Sequence, residues 1–324
     1  VSQTSPLHIV FGAGQVGSSL AIALKARGLR VRVVRRSGRP VAPGVEVLAA
    51  DATDPAQAVA AARGAAVVYH CMNPSAYTEQ AWQAEFPAQG EALIAAAQAT
   101  GARLVCLDNL YACGPCGGPR SEQTPLAAEG PKGWVRVAWD ARLRQAGEQG
   151  LRWTAGRAGD DFGPGAGGQS LLSMQAVAAL GRGWPAVLVG DADAVHAFSW
   201  VPDVVEALVA LGSAADDVEG RAWHLPVHPV APRELVQRLA RAQGRRGWTV
   251  VLAPWFIRLL GRFSALAHAL EETLYQWDRP FLVDDSAFRA RFPALGLSLD
   301  QAVTKTVAAA LPAGSPPFAR PSAA

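Results

Sequence analysis

The chain has 324 residues, 50% of them hydrophobic and 18% charged, with 30 basic against 27 acidic side chains and a net charge of +3. This length exceeds a minimal single core and suits one large or two modest domains. The basic residues are scattered rather than gathered into the stripe of a nucleic-acid binder, and no apolar run reaches the roughly 18 residues of a membrane span, so neither nucleic acid nor membrane is an expected partner.

The first element is a buried strand, His8-Ile-Val-Phe11, which breaks into Gly12-Ala-Gly14-Gln15-Val16-Gly17 and continues as the helical pattern Ser18–Arg27 with Gly28 as its C-cap. In this G-x-G-x-x-G arrangement Gly12 makes the tight turn, Gly14 lets a pyrophosphate approach the backbone, and Gly17 lets helix and strand pack closely. Gln15 and Val16 open the helix, whose free N–H groups and positive dipole end attract a diphosphate. No basic segment precedes the apolar stretch Ile9–Leu24, so it is read as this turn rather than as a signal-peptide core, and a cytoplasmic enzyme is expected.

A second strand, Leu29–Val34, ends in Arg35-Arg36-Ser-Gly-Arg39. An NAD-binding unit places an acidic residue there to accept from the ribose hydroxyls, whereas a guanidinium pairs with a 2′-phosphate. Arg35 and Arg36 therefore favour NADP(H), with NAD(H) as the alternative, unless they only solvate the strand end. Further strands are expected at Val45–Ala50, Ala66–His70, Arg103–Leu107 and Leu151–Ala155, separated by helical stretches at Pro55–Arg63, Ala81–Thr100 and Gly133–Gln149. This alternation predicts an α/β fold, a Rossmann-type doubly wound parallel sheet with a smaller, mainly helical substrate-binding domain. The expected division is 1–165 for the dinucleotide-binding domain, 166–310 for the substrate-binding part and 311–324 for a mobile Pro/Ala/Ser-rich tail.

In the second half the spacing predicts a helix over Ser170–Leu180, a strand over Ala186–Val189, an element at Phe198–Asp203, a helix over Val204–Leu211 and one long amphipathic stretch from Trp255 to Trp277. Its aromatic residues either fill a second core or wall a substrate site. Four cysteines, Cys71, Cys106, Cys113 and Cys116, are too few for a disulfide scaffold. Cys113-Gly-Pro-Cys116 has the dithiol spacing, but its Gly and Pro flanks predict a loop and a structural role. No second Cys/His pair stands at metal-ligand spacing, so no metal is expected.

Taken in order, Val10–Gly17, Asp51-Ala-Thr-Asp54, Val67-Val-Tyr-His70, Arg157–Gly165 and Phe198-Ser-Trp-Val-Pro-Asp203 resemble the extended short-chain dehydrogenase/reductase superfamily, the group of NAD-dependent epimerases and dehydratases, and its atypical members most of all. The resemblance implies that Asp51 accepts from the adenine amino group and that Ala52 offers a backbone contact. It implies that His70-Cys71-Met72-Asn73 passes under the ribose and nicotinamide, that the segment starting at Arg157 crosses near the nicotinamide, and that the second half returns a strand to the sheet.

The catalytic signature departs from that family, whose enzymes pair a Ser or Thr after strand five with Tyr-x-x-x-Lys on the next helix. Aligned on Asp140-Ala-Arg-Leu143, the tyrosine position holds Lys132 and the lysine position Arg136, and the serine position falls on Asn109. Tyr111 is the nearest substitute, a phenol expected to be acidified by Lys132 and Arg136 and assisted by Asn109 and Lys132. The expected function is an NADP(H)-dependent reductase or dehydrogenase of a small, fairly apolar carbonyl or hydroxyl compound. A nucleotide-sugar epimerase or dehydratase and a catalytically silent NADP(H) sensor are the alternatives. The expected partner is a small-molecule substrate, with a homodimer left open.

Overall fold

The computed structural model describes residues 5–168 and 170–310; the tail 311–324 lies outside the described residues. Twelve strands are present among the described residues, and their order sets the site. In the first half β1 (Leu7–Phe11), β2 (Arg30–Arg35), β3 (Glu46–Ala49), β4 (Ala65–His70), β5 (Arg103–Asp108) and β6 (Trp153–Arg157) alternate with α1 (Gln15–Ala26), α2 (Pro55–Ala62), α3 (Glu79–Thr100) and α4 (Pro131–Glu148). The second half contributes β7 (Asp160–Phe162), α5 (Met174–Gly181), β8 (Ala186–Val189), β9 (His196–Trp200), α6 (Val201–Ser213), β10 (Arg221–His224), β11 (His228–Val230), α7 (Pro232–Arg241), β12 (Thr249–Leu252), α8 (Pro254–Gly261), α9 (Ala265–Glu271), α10 (Ser286–Arg291) and α11 (Leu299–Ala310).

Seven strands form one parallel sheet in the order β10-β6-β5-β4-β1-β2-β3. Every residue of β1 is buried, with Ile9 and Phe11 in the core that α3 and α4 cover and Val10 in the core against α1 and α6. That two-sided burial is why the strand reads as a continuous apolar run rather than as an alternation. Each such side chain contributes about 1.5–3 kcal/mol when fully buried. Between β1 and β4 the direction of winding reverses, which opens a crevice at the carboxyl ends of the strands. Small residues let the layers close up: a Cβ on Gly90 would stand 2.5 Å from the Trp139 ring, and one on Gly212 would stand 2.0 Å from the Tyr69 hydroxyl.

Helix boundaries follow local chemistry. The Thr78 hydroxyl accepts from the Ala81 amide (3.3 Å) and starts α3 two residues before the expected Ala81, and Gly101 at φ +67° ends it. Pro131 in the first turn starts α4 earlier than Gly133, and Gly28 (φ +75°) follows the C-cap Arg27 rather than being the cap itself. The expected element Phe198–Asp203 divides into the end of β9 and the start of α6, where Pro202 suits a first helical turn.

The stretch Trp255–Trp277 is not one amphipathic helix. It breaks into α8, α9 and a single 3₁₀ turn at Leu274–Gln276, because Ser264 caps a new helix by accepting from the Ala267 amide (3.4 Å). Strands β11-β9-β7 form a small second sheet, β12 and β8 a parallel pair, and α5, α7 and α11 close a third core around Phe162, Phe198 and Leu235.

Candidate active site

The glycine turn between β1 and α1 is shaped by three different constraints. Gly12 has φ +98°, and a Cβ there would lie 2.5 Å from the Cys71 carbonyl oxygen; a Cβ on Gly17 would lie 2.0 Å from the Gly12 carbonyl oxygen. Gly14 is the reverse case, with nothing within 4 Å of a Cβ position. It is the N-cap of α1, no side chain caps that helix, and no acidic residue occupies its first turn. Open space in front of an uncapped helix N-terminus fits a diphosphate. Val16 is buried behind the turn, and the Gln15 side chain packs against Gly167 in the segment after β7.

Along the outer edge, Arg35 ends β2 and Arg36 follows it. Arg36 faces Asp51, whose carboxylate is held below the usual range first by hydrogen bonds from Thr53 (N–H 2.9 Å, hydroxyl 2.8 Å) and then by the Arg36 charge. Ala52 is buried beside it. Arg35, Arg36, Asp51 and Ala52 thus stand together at the β2–β3 end of the crevice. Gln15, Cys71 and Met72 line its inner end.

There a cavity of approximately 650 Å³ opens, walled by Trp82, Leu107, Trp277 and Phe281 and by the polar side chains of Asn109, Tyr111, Tyr77, Asp160 and Asp161. The Tyr111 and Tyr77 hydroxyls are 2.9 Å apart, and the Asn109 side-chain oxygen accepts from the Tyr111 amide (3.1 Å), fixing the turn that presents the phenol. Among the described residues the only cation on the wall is Arg136, and it is already committed to Asp108 (2.9 Å) and to the Asn73 side-chain oxygen (3.1 Å).

Three sequence expectations are corrected here. Tyr111 is not acidified: burial comes first, then the neighbouring Tyr77 and Asp160, and together they push its hydroxyl well above the usual tyrosine value. Arg136 opposes that rise but is outweighed, its own charge being tied to Asp108. Lys132 does not line the cavity. Its ammonium pairs with Glu272, donates to the Ala269 carbonyl (2.7 Å) and sits 4.5 Å above the Tyr77 ring. Arg157 is buried in β6 and held by Asp140 (2.7 Å) and Asp108 (3.7 Å), so its guanidinium faces carboxylates and not the crevice.

Sequence reasoning missed the two carboxyl groups of this cavity and the buried imidazole behind one of them. His196 is stacked on Trp277, with ring centroids 4.1 Å apart. Its Nδ1 stands 3.0 Å from the Gln276 carbonyl oxygen and must donate to it, while Nε2 stands 2.7 Å from Asp160 Oδ2. The neighbouring Asp161 side chain has no hydrogen-bond partner among the described residues. Burial first, and then the charge of Asp160, push its carboxyl up to about 7. Asp160 and Asp161 do lie inside the quoted segment Arg157–Gly165, but nothing in their spacing marks a cavity; Tyr77 sits in a loop with no pattern at all.

The two cysteines of the dithiol spacing are not joined. Burial raises Cys113, the Cys116 thiol donates to the Gly118 carbonyl (3.1 Å), and both are free cysteines. Cys71 is likewise pushed up to about 12 by burial, and His70 down to about 3 by burial and then by Arg136.

A sequence profile described as the NAD dependent epimerase/dehydratase family matches residues 9–225. Among solved structures, a putative epimerase from Burkholderia cenocepacia J2315 superposes with a TM-score of 0.77 at 20% identity, covering 95% of this chain and 99% of that one. A UDP-glucose 4-epimerase from Thermus thermophilus in complex with NAD gives 0.71 at 21% identity, covering 94% and 98%. A dTDP-glucose 4,6-dehydratase from Streptomyces venezuelae with NAD bound gives 0.73 at 18% identity, covering 93% and 96%. No curated protein matches the sequence.

Proposed function

Because the chain belongs to the NAD dependent epimerase/dehydratase family, we propose that it is an NADP(H)-dependent reductase or dehydrogenase of a small, fairly apolar carbonyl or hydroxyl compound. The observation that carries the substrate class is the cavity wall, which joins aromatic and aliphatic side chains to two carboxyl groups and offers no uncommitted cation among the described residues. A nucleotide diphosphate would need a counter-cation there and would meet Asp160 and Asp161 instead, which speaks against the nucleotide-sugar reading. Arg35 and Arg36 support the phosphorylated cofactor, since neither is in an ion pair among the described residues; NAD(H) is the alternative, and the Thermus thermophilus structure is a complex with NAD.

When bound, a nicotinamide dinucleotide supplies two-electron transfer at its ring. The chain's own residues do the rest. Gly12, Gly14 and Gly17 shape the backbone in front of the α1 N-terminus that holds the diphosphate. Tyr111, neutral because it is buried, donates its O–H to the substrate oxygen and polarises it, while Tyr77 and Asn109 hold it in place. Asp161, ionising near neutrality, gives up or takes back a proton, and His196 holds the Asp160 carboxyl in place. Trp82, Trp277 and Phe281 exclude water from the reacting atoms.

The test is to mix the protein with NADPH and a panel of ketones and aldehydes and follow the reduced-nicotinamide absorbance. Turnover is expected, and Tyr111→Phe should slow the chemical step about 10²–10⁴-fold at unchanged NADPH affinity. Tight NADPH binding with no turnover across the panel would overturn the enzyme in favour of a silent sensor.

A further inference from the structure

We propose that the β8–β12 pair and the helix α8 that follows it form a docking surface for an anionic phospholipid membrane. Thirteen large apolar side chains stand exposed among the described residues, and nine of them fall within residues 184–187 and 248–263. Trp184, Trp248 and Trp255 are each more than 60% exposed and Phe263 is 86% exposed. Parallel pairing sets Val187 beside Val250, both outward, and so brings the two segments together; Ala253 alone separates β12 from α8. Apolar clustering of this kind on a monomer marks an interaction site.

Charge identifies what it meets. From Arg241 to Leu270 there is no acidic residue, although the whole chain is nearly balanced. Arg182, Arg245, Arg246, Arg258 and Arg262 are exposed on the same segments and form no ion pair among the described residues. Several other surface arginines are paired, as in Arg142 with Glu91 and Arg291 with Asp217, and Arg30, Arg36, Arg39 and Arg63, which are not, lie on the first half of the chain. Acids border the surface at two places: Asp193, after β8, is paired with Arg233, which also donates to Thr249 of β12 (2.6 Å), and beyond α8 Glu271 lies 3.6 Å from His268 while Glu272 is taken by Lys132.

Arginine and aromatic side chains interleave here, as in Arg262-Phe263, and all the free charge on these segments is of one sign, which calls for an anionic partner. A second copy docking through this face would press five guanidinium groups against five more. A bilayer surface resolves both features: tryptophan and phenylalanine rings enter the headgroup boundary, and arginines meet lipid phosphates. Among the described residues no helix is long and apolar enough to cross a membrane, so this contact lies in the headgroup plane. Behind the surface, Val189 of β8 and Leu270 and Leu274 after α8 line the cavity, which places its outer wall where an apolar compound would leave the lipid. Membrane docking of this kind is independent of the reaction proposed above.

The experiment is co-sedimentation of the full chain with vesicles of phosphatidylcholine alone and of phosphatidylcholine containing phosphatidylglycerol, at low and high salt. Binding is expected to the anionic vesicles only, reversed by salt, with a blue shift of tryptophan emission. Arg258→Gln with Arg262→Gln should weaken the partition about 25-fold, roughly fivefold per charge near the surface. Phe263→Ser should weaken it about tenfold or more, and both variants should bind NADPH as the parent does, which shows the fold intact. Failure of the parent to bind anionic vesicles, or binding that the arginine variant leaves unchanged, overturns the proposal. So does a dimer in sedimentation velocity that Phe263→Ser splits, since that assigns the face to a second copy.

Discussion

Asp161→Asn tests whether the cavity holds a carboxyl group that is neutral in weak acid. The folded chain raises this carboxyl from 3.8 to about 7, by burial first and by Asp160 second. A carboxyl raised in the folded state binds its proton more tightly there than in the unfolded chain. Its contribution to stability is therefore fully present below the unfolded value and is lost as pH rises through about 7. At about 1.36 kcal/mol per pH unit, going from pH 5 to pH 8 removes about 2–3 kcal/mol from the parent. Asparagine does not titrate, so the variant is spared that loss. Any cost of the new amide is the same at both pH values and cancels in the comparison. Urea unfolding of parent and variant at pH 5 and pH 8 should thus show the gap between them move by about 2–3 kcal/mol in favour of the variant. An identical gap at the two pH values would refute the reasoning, because it would mean that the group is hydrated and ionised throughout.

The remaining predictions concern the crevice and the cysteines. Gly14→Val should abolish NADPH binding in calorimetric titration with little loss of stability, because no protein atom opposes the new side chain. Gly12→Ala should destabilise the fold by several kcal/mol in a thermal melt, since its Cβ meets the Cys71 carbonyl and φ is +98°. Arg35→Ala with Arg36→Ala should weaken NADPH binding by about 1–3 kcal/mol and leave NADH binding nearly unchanged; equal losses by calorimetry would remove the case for the phosphorylated cofactor. Cys113→Ser with Cys116→Ser should leave nicotinamide-dependent turnover within a few-fold of the parent, and a large loss in a folded double variant would restore the dithiol reading.

The central sheet was legible because strands buried on both faces, such as β1 and β5, appear as apolar runs bounded by turn residues. The glycine turn was legible because its spacing is contiguous in sequence and one of its constraints is local, a Cβ on Gly17 meeting the Gly12 carbonyl, although the Cys71 carbonyl that crowds Gly12 arrives only with β4. Three-residue strands such as β7 and β11 are too short for any period to show. The acid–imidazole cluster was illegible for another reason. His196 finds Asp160 across 36 residues and the Gln276 carbonyl across 80, so only the packed second half brings them together. Lys132 and Arg136 looked like free cations for the same reason, their carboxylates lying 140 and 28 residues away.

The seventh strand of the sheet has a consequence for how the molecule is made. β6 is complete at Arg157, but the strand that covers its outer edge, β10, begins only at Arg221, after 63 further residues. At about 5–20 residues per second of synthesis, that edge stays unpaired for roughly 3–13 s. During that interval its backbone donors and acceptors can template pairing with another nascent chain. A fragment ending between β6 and β10 should accordingly aggregate, although it contains all of the glycine turn.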